Sequence, residues 1–317
     1  MRRTRSTLLA LVATLGLVLG LVLGGVGAST AGAAEKYPVP YNFLPSAIAG
    51  GLQSDAPGTN DWDCRPSKRH PRPVVLVHGT FGNQSTNWQT YGPLLANKGY
   101  CVFALTYGTE PALGPGSGYV GGLGKMQRSA RELKAFVAEV RAATGARKVD
   151  LLGHSQGTLM PAWYLKFLGG ATHVKRYVSL APLWHGTQVA GAAAITAAVF
   201  GVPVDKAVPL CVACGQFSPD STFLRRVRAG GVAQKGVRYT NIMTEYDQLV
   251  VPYTSGREKG MRNIVVQDGC DTDYTEHFQI AADPVAAGHV LNALDPQHRK
   301  PVTCQLVLPF VGGPPQP

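Results

Sequence analysis

The sequence has few charged residues, and acidic side chains are the scarcer kind. Asp, Glu, Lys and Arg make up 15% of the 317 residues, with 19 acidic against 30 basic side chains. The apolar share of 45% is large enough for a sizeable buried core. The basic residues are scattered, and no motif of alternating basic and aromatic residues accompanies them. We therefore expect a globular domain with a basic surface and no nucleic-acid partner.

The sequence also lacks the motifs of several enzyme classes. It contains no glycine-rich nucleotide fingerprint, no phosphate-cradling loop and no His-Glu-x-x-His zinc motif. We therefore expect no cofactor and no metal. Three acidic residues close in sequence could bind calcium, although a solvated acidic loop is the commoner outcome; they are Asp268, Asp271 and Asp273.

The N-terminal region predicts export. Basic residues among the first five positions precede an apolar stretch from Leu8 to about Leu23, and small residues follow as far as Ala34. This is the pattern of a secretory signal peptide. An uncleaved membrane anchor is the alternative, but the tail of small residues favours cleavage. We predict a signal peptide over 1–34 and a secreted protein with no stable membrane span after cleavage.

Six cysteines fit an oxidising compartment. They allow fifteen pairings, and the sequence alone does not choose among them. We favour disulfides between Cys64 and Cys101, between Cys211 and Cys214, and between Cys270 and Cys304. The short Cys211–Cys214 spacing could instead mark a redox or metal site, but no second Cys-x-x-Cys accompanies it.

The residues after the signal peptide predict one α/β domain over 35–317. Apolar runs that alternate with helical patterns indicate a mostly parallel central sheet flanked by helices. The predicted strands are 73–77, 101–105, 149–152, 177–180, 239–243 and 263–266, and the predicted helices are 88–98, 125–144 and 284–294.

Two parts of this domain are predicted to lie outside the regular α/β pattern. Residues 35–72 are rich in Pro, Gly, Ser and Asp without a sustained period, so we predict an irregular N-terminal extension. Residues 183–235, between the predicted strands 177–180 and 239–243, are the second such part. This part contains the apolar run Val189–Val202, which could be a helix beside a binding site or an ordinary core helix.

The strongest motif is Gly153-His154-Ser155-Gln156-Gly157, directly after an apolar run. It matches G-x-S-x-G, in which a serine occupies a strained turn between a strand and a helix. Glycine is needed at both ends because a side chain there would collide with the neighbouring strand and helix. The serine hydroxyl is then held where a base and a substrate carbonyl can both reach it.

Such a serine needs a histidine base and an acidic residue, in the chain order Ser, acid, His. Asp247 fits the acid best because it follows a late strand, and Glu245 is its near rival. His277 is the expected base because it follows the last strand. His289 falls inside a helical segment and His298 lies between prolines, so both fit less well.

Two backbone N–H groups should stabilise the negative oxygen that develops during attack. One is expected from Gln156, the residue after the serine. The other is expected from the loop after strand 73–77, where Thr80 is our choice and Phe81 the alternative. His78 in that loop is expected to support the loop rather than react.

Three segments together resemble the secreted bacterial class 2 lipases of the α/β-hydrolase superfamily. They are VLVHGTFGN (75–83), LLGHSQGT (151–158), and DPVA (283–286) with LNALDP (291–296). The resemblance runs from about residue 40 to about residue 305. It implies an α/β-hydrolase fold with a small cap or lid insertion over 183–235. It also implies a catalytic Ser155, Asp247 and His277, and oxyanion donors at Thr80 and Gln156.

The resemblance implies a secreted carboxylic ester hydrolase, most simply a triacylglycerol lipase. Its substrate would be a lipid or small ester, taken in solution or at an oil–water interface, and we expect a monomer. An acyltransferase or a phospholipase could use the same three residues. A non-catalytic binding protein of the same fold is a further alternative, which the intact Ser, Asp, His order disfavours.

Overall fold

The computed structural model describes residues 36–51, 53–110, 114, 117–188 and 210–314, and its centre is a parallel β-sheet. The predicted signal peptide and the apolar run Val189–Val202 lie outside these residues. Residues Tyr37–Pro317 form one compact unit. The described strands lie in the order β2-β1-β3-β4-β5-β6 and are β1 Val74–Val77, β2 Val102–Leu105, β3 Val149–His154, β4 Val174–Leu180, β5 Arg238–Met243 and β6 Arg262–Val265.

Helices flank this sheet, and together they form the α/β-hydrolase fold that the sequence predicts. Within the described ranges, no helix has both the length and the apolar character that crossing a bilayer requires. The described helices are α1 Phe43–Gly50, α2 Tyr91–Asn97, α3 Met126–Thr144, α4 Gln156–Phe167, α5 Thr222–Arg228 and α6 Pro284–Leu294.

The centre of the sheet is buried on both faces. Along β1, Val75 and Val77 belong to one apolar cluster while Val74 and Leu76 belong to another. Successive side chains of a strand point to opposite faces, so the two clusters are the two sides of the sheet. A strand covered on both sides must be apolar throughout, which explains why β1 is an unbroken run of Val and Leu.

Helix α3 shows why a helix could be recognised from the spacing of its apolar residues. Its buried residues recur every three or four positions, which places them on one face against the sheet. The helix ends at Gly145, whose φ of 70° is the left-handed conformation that terminates many helices. The predicted helix 125–144 is thereby confirmed almost to the residue.

The N-terminal extension differs from the prediction in one respect. Residues 43–50 form helix α1, although the extension is predicted to be irregular. Eight residues with one buried member, Gly50, carry too short an apolar period to be recognised in sequence. The helix is therefore held by contacts with the rest of the chain.

The three expected disulfides are all present. Cys64–Cys101 joins the extension to the start of β2, Cys270–Cys304 joins the loop after β6 to the C-terminal tail, and Cys211–Cys214 closes a short loop. The two long links span 37 and 34 residues, so they restrict the unfolded chain over segments that carry little regular structure.

The strand order reverses between β1 and β3. The chain moves outward from β1 to β2, returns across β1 to form β3, and then continues to the other side. The loops that follow β1 and β3 therefore leave the same edge of the sheet in opposite directions. In open parallel sheets, such a reversal opens the crevice where ligands bind.

The acidic cluster of the sequence contains a buried carboxyl pair. Asp273 is fully buried and its carboxyl neighbours that of Asp283, so it does not lie in a solvated loop as we expected. Asp283 also accepts the N–H groups of Val285 and Ala286 at the start of α6. Burial raises the pKa of both carboxyls, and the pair therefore holds a proton above the usual range.

This proton makes stability depend on pH. In the unfolded chain both carboxyls ionise near pH 4, whereas burial raises the pKa of Asp273 to about 6. The folded state thus binds more protons over this window, and the free energy of unfolding should fall as the pH rises from 4 to 6. Asp273→Asn removes one of the two titrating carboxyls and should reduce this slope in urea denaturation. Asp271→Asn, at an exposed neighbour, should keep the wild-type slope; equal slopes in all three proteins would contradict the assignment.

Candidate active site

Ser155 occupies the tight turn between β3 and α4. Its φ of 54° and ψ of −123° are strained for a residue with a side chain. A Cβ on Gly153 would lie 2.1 Å from the Gly157 carbonyl oxygen, and one on Gly157 would lie 1.9 Å from the Val77 carbonyl oxygen. The expected collision is therefore real, and the motif packs directly against β1.

Ser155, His277 and Asp247 form one hydrogen-bonded chain. The His277 Nε2 lies 2.9 Å from the Ser155 Oγ, and the His277 Nδ1 lies 2.9 Å from both carboxylate oxygens of Asp247. Since a carboxylate only accepts, the Nδ1 carries the proton and the Nε2 is free to accept from the serine. Three residues from the ends of β3, β5 and β6 thus meet at one edge of the sheet.

The Asp247 carboxylate is held by its own loop. Its Oδ1 also accepts the N–H groups of Leu249 at 2.9 Å and Val250 at 2.7 Å. His277 is fixed in turn, because its backbone N–H donates to the Gln248 Oε1 at 3.1 Å. These bonds orient the acid and the imidazole before any substrate arrives.

The rival residues lie elsewhere. Glu245 is exposed, and its N–H donates to the Gln267 side chain. His289 lies on α6, where burial lowers its pKa. His298 is exposed and pairs with Asp295 at 2.9 Å. Each of these three positions is explained by contacts that do not involve Ser155.

Two backbone N–H groups lie near Ser155, one in the loop after β1 and one at the start of α4. Among the described residues, neither the Thr80 N–H nor the Gln156 N–H has a hydrogen-bond acceptor. The alternative donor is occupied, because the Phe81 N–H donates to the Gly121 carbonyl at 3.0 Å. The geometry therefore favours Thr80 over Phe81 as the second donor.

The Thr80 hydroxyl links these two donors. It donates to the Gln156 Oε1 at 2.7 Å, so its proton is not directed at the space above Ser155. Gly122 passes close behind, where a Cβ would lie 3.0 Å from the Thr80 Cα. The loop after β1 is thus tied to the start of α4 by one side-chain hydrogen bond, and the segment at Gly122 packs against the same loop.

His78 supports the loop, as its sequence position suggests. Its ring stacks on Tyr107 with centroids 4.2 Å apart, and its Nε2 accepts the Tyr107 N–H at 3.2 Å. The Nδ1 then carries the proton and donates to the Gly79 carbonyl at 2.7 Å. Burial lowers the pKa of His78 to about 4, so the ring stays neutral.

His154 and Asn87 make hydrogen bonds within the site that the sequence did not predict. The His154 Nε2 lies 2.8 Å from the backbone carbonyl oxygen of His277, and burial lowers the pKa of His154 to about 3. The Asn87 Oδ1 accepts the Gly79 N–H at 3.0 Å. Both side chains hold loops that carry site residues, and no local pattern in the sequence marks either one.

A cavity of about 370 Å³ opens beside Ser155 and His277. Its walls are mostly apolar and include Leu183, Phe217 and Leu249. Leu183 and Phe217 belong to the predicted cap insertion, whose described parts pack on α4. Whether this insertion acts as a lid stays a prediction, since 189–209 lie outside the described residues.

Comparison with known proteins identifies the family. The sequence model of the class 2 lipases matches residues 71–289. Two curated relatives are triacylglycerol lipases, from Burkholderia plantarii (35% identical over 122 residues) and Pseudarthrobacter phenanthrenivorans (37% over 92 residues). These alignments cover 37% and 27% of this chain, and the chain spans only 31% and 26% of the relatives' lengths.

Solved structures share the fold. Aspergillus fumigatus lipase B superposes with a TM-score of 0.58 at 21% identity, covering 78% of this chain and 57% of that one. The mature form of the Bacillus licheniformis lipase BlEst2 gives 0.54 at 18% identity, covering 73% and 94%. Because the family match covers most of the sequence and the fold agrees with it, the chain belongs to the class 2 lipases of the α/β-hydrolase fold.

Proposed function

We propose that the protein is a secreted carboxylic ester hydrolase, most simply a triacylglycerol lipase, that works through an acyl-enzyme on Ser155. The observation that carries the proposal is the continuous chain from the Ser155 Oγ through the His277 imidazole to the Asp247 carboxylate, 2.9 Å at each step. Serine hydrolases of unrelated folds use this same arrangement. The family assignment supports the reaction class.

In the first step the Ser155 Oγ attacks the ester carbonyl carbon. A serine hydroxyl is a weak nucleophile, so its proton passes to the His277 Nε2 as the new bond forms. The imidazole then carries a positive charge, which the buried Asp247 carboxylate stabilises at hydrogen-bond distance. The two N–H bonds from Leu249 and Val250 keep that carboxylate in place.

The carbonyl oxygen becomes negative during this attack. The N–H groups of Thr80 and Gln156, which have no acceptor in the described part of the chain, are the proposed donors to it, and backbone donors fixed in advance need no reorganisation. Removing one donor of this kind typically costs roughly 10²–10³ in rate. The bond from the Thr80 hydroxyl to the Gln156 side chain keeps the two donors at a constant separation.

The intermediate then collapses. The protonated His277 donates its proton to the leaving alcohol, which departs and leaves an acyl group on Ser155. Water enters, gives a proton to the His277 Nε2 and attacks the acyl carbon through the same oxyanion site. The second intermediate then collapses, the protonated His277 returns its proton to the Ser155 Oγ, and the carboxylic acid product is released.

The cavity supports an ester with an aliphatic chain. Apolar walls next to the nucleophile bury hydrocarbon favourably, whereas a charged substrate would find few partners there. Secretion is supported by the three disulfides, which persist in oxidising compartments. The predicted signal peptide would supply the export route.

Ser155→Ala should abolish both activity and active-site labelling. A fluorophosphonate probe should attach to wild type at one residue, and peptide mapping should identify Ser155. Hydrolysis of a p-nitrophenyl ester should fall by at least about 10⁴. The exposed Ser67 serves as control, and Ser67→Ala should be labelled and active like wild type. A labelled and active Ser155→Ala protein would refute the proposal.

Asp247→Asn tests the acid. The amide cannot stabilise an imidazolium and favours the wrong tautomer, so kcat should fall by about 10³–10⁴ with a smaller change in KM. Glu245→Gln removes the rival carboxylate and should leave kcat within about twofold. If Glu245→Gln were the damaging change, the acid would be misassigned.

The physical form of the substrate distinguishes a lipase from an esterase. A lipase adapted to interfaces should show a jump in rate when tributyrin passes from dissolved monomers to an emulsion. A rate that simply saturates below the solubility limit would make the protein a soluble esterase. Acyl transfer to an added alcohol in preference to water would instead favour the acyltransferase alternative.

A further inference from the structure

Helix α1 lies outside the part of the chain that defines its family. The class 2 lipase model matches residues 71–289, whereas α1 is Phe43–Gly50. The family assignment therefore says nothing about what this helix does. Its function has to be argued from its own contacts.

The helix forms part of the cavity wall. Phe43, Leu44 and Ala47 line the same cavity as Ser155 and His277. The next residue, Ile48, is 79% exposed and does not line the cavity. One side of α1 thus faces the proposed reaction space, and a neighbouring position faces solvent.

The N-terminal end of α1 is fixed to the loop that carries His277. The Phe43 N–H donates to the Gln279 Oε1 at 2.9 Å, and the Phe43 ring stacks on Phe278 with centroids 6.0 Å apart. The same ring lies 6.1 Å from the ring of His154. Phe43 therefore contacts the residues that flank the proposed base and nucleophile.

The C-terminal end is fixed to the segment after β1. The Gly50 carbonyl accepts the Ser85 hydroxyl at 2.9 Å. A Cβ on Gly50 would overlap the Gln89 side chain at 2.2 Å, so the helix packs closely there. Attachment at both ends makes α1 a strap between two loops of the site, with the cavity beneath its middle.

We propose that α1 is a specificity-determining wall that sets the length of the aliphatic chain that the site accepts, with Ala47 as the position whose small side chain leaves room for that chain. Ala47 is the smallest of the three lining side chains, and it lies between the two anchored ends. A larger side chain at this position would enter the cavity rather than solvent. The inference rests on the proposed ester hydrolase function and names the part of the substrate that α1 contacts.

The aliphatic chain could belong to the acid or to the alcohol of the ester. Both would be recognised by the same burial of hydrocarbon against Phe43, Leu44 and Ala47. Two substrate series separate them: p-nitrophenyl esters with acyl chains of increasing length, and acetate esters with alcohol chains of increasing length.

The test fills the cavity from α1 in two steps. In full-length Ala47→Leu and Ala47→Phe proteins, the ratio of kcat/KM for a twelve-carbon chain to that for a four-carbon chain should fall progressively. The fall should reach at least about tenfold in Ala47→Phe, because a few lost methylene contacts account for that much. Hydrolysis of the short ester and fluorophosphonate labelling should be retained.

Ile48→Phe is the matched control, since it adds an aromatic ring one residue further along the same helix but toward solvent. Its chain-length ratio should stay within about twofold of wild type. If Ala47→Phe does not fold, the intermediate shift in Ala47→Leu decides. A shift in either substrate series supports the wall and says which chain it borders.

Unchanged ratios in both series, in Ala47 variants that are labelled normally, would overturn the wall and leave the proposed function standing. A shift of equal size in Ile48→Phe would also overturn it, because a general disturbance of α1 would then explain the effect. A wild-type protein that is neither labelled nor active on any ester would overturn both proposals together.

Discussion

The site depends on one close packing contact, that of the turn at Ser155 against β1. Gly157 approaches the Val77 carbonyl so closely that no side chain fits between them. This contact brings the end of β3, the start of α4 and the loop after β1 into one place. Ser155, Gln156 and Thr80 are thereby brought close together. The strained backbone of Ser155 is maintained because the surrounding sheet is buried on both faces.

The proposed base, His277, and the proposed acid, Asp247, are positioned in a different way. They stand on loops after β5 and β6, which are held by hydrogen bonds and, in the second loop, also by the Cys270–Cys304 disulfide. His277 is fixed through Gln248 and His154, and Asp247 through the backbone of its own turn. Helix α1 extends this bracing, since Phe43 and Gln279 connect the extension to the same loop. Close packing at Ser155 and hydrogen bonds in the loops after β5 and β6 together fix the geometry of the site before a substrate binds.

Sequence reasoning anticipated the features that arise from local or repeated constraints. The strands, helix α3 and the glycine-flanked turn follow from apolar periodicity and from a collision that only glycine avoids. It missed features that arise only when distant segments meet. Helix α1 has too few residues for a readable period, the contacts of His154 and Asn87 join separate loops, and Asp273 is buried against Asp283 ten positions away. The expected oxyanion loop left Thr80 and Phe81 open; the Phe81 N–H donates to the Gly121 carbonyl, and Thr80 stays the proposed donor.

The most direct test of this account is a crystal structure of the protein after reaction with an alkyl phosphonate carrying a long chain, which mimics the tetrahedral intermediate. The account predicts phosphorus bonded to the Ser155 Oγ and the phosphoryl oxygen about 2.7–3.1 Å from the Thr80 and Gln156 nitrogens. The His277 Nε2 should stay within hydrogen-bond reach of the Ser155 Oγ or the leaving-group oxygen. A phosphonate attached to another residue, or a phosphoryl oxygen directed away from both nitrogens, would contradict it.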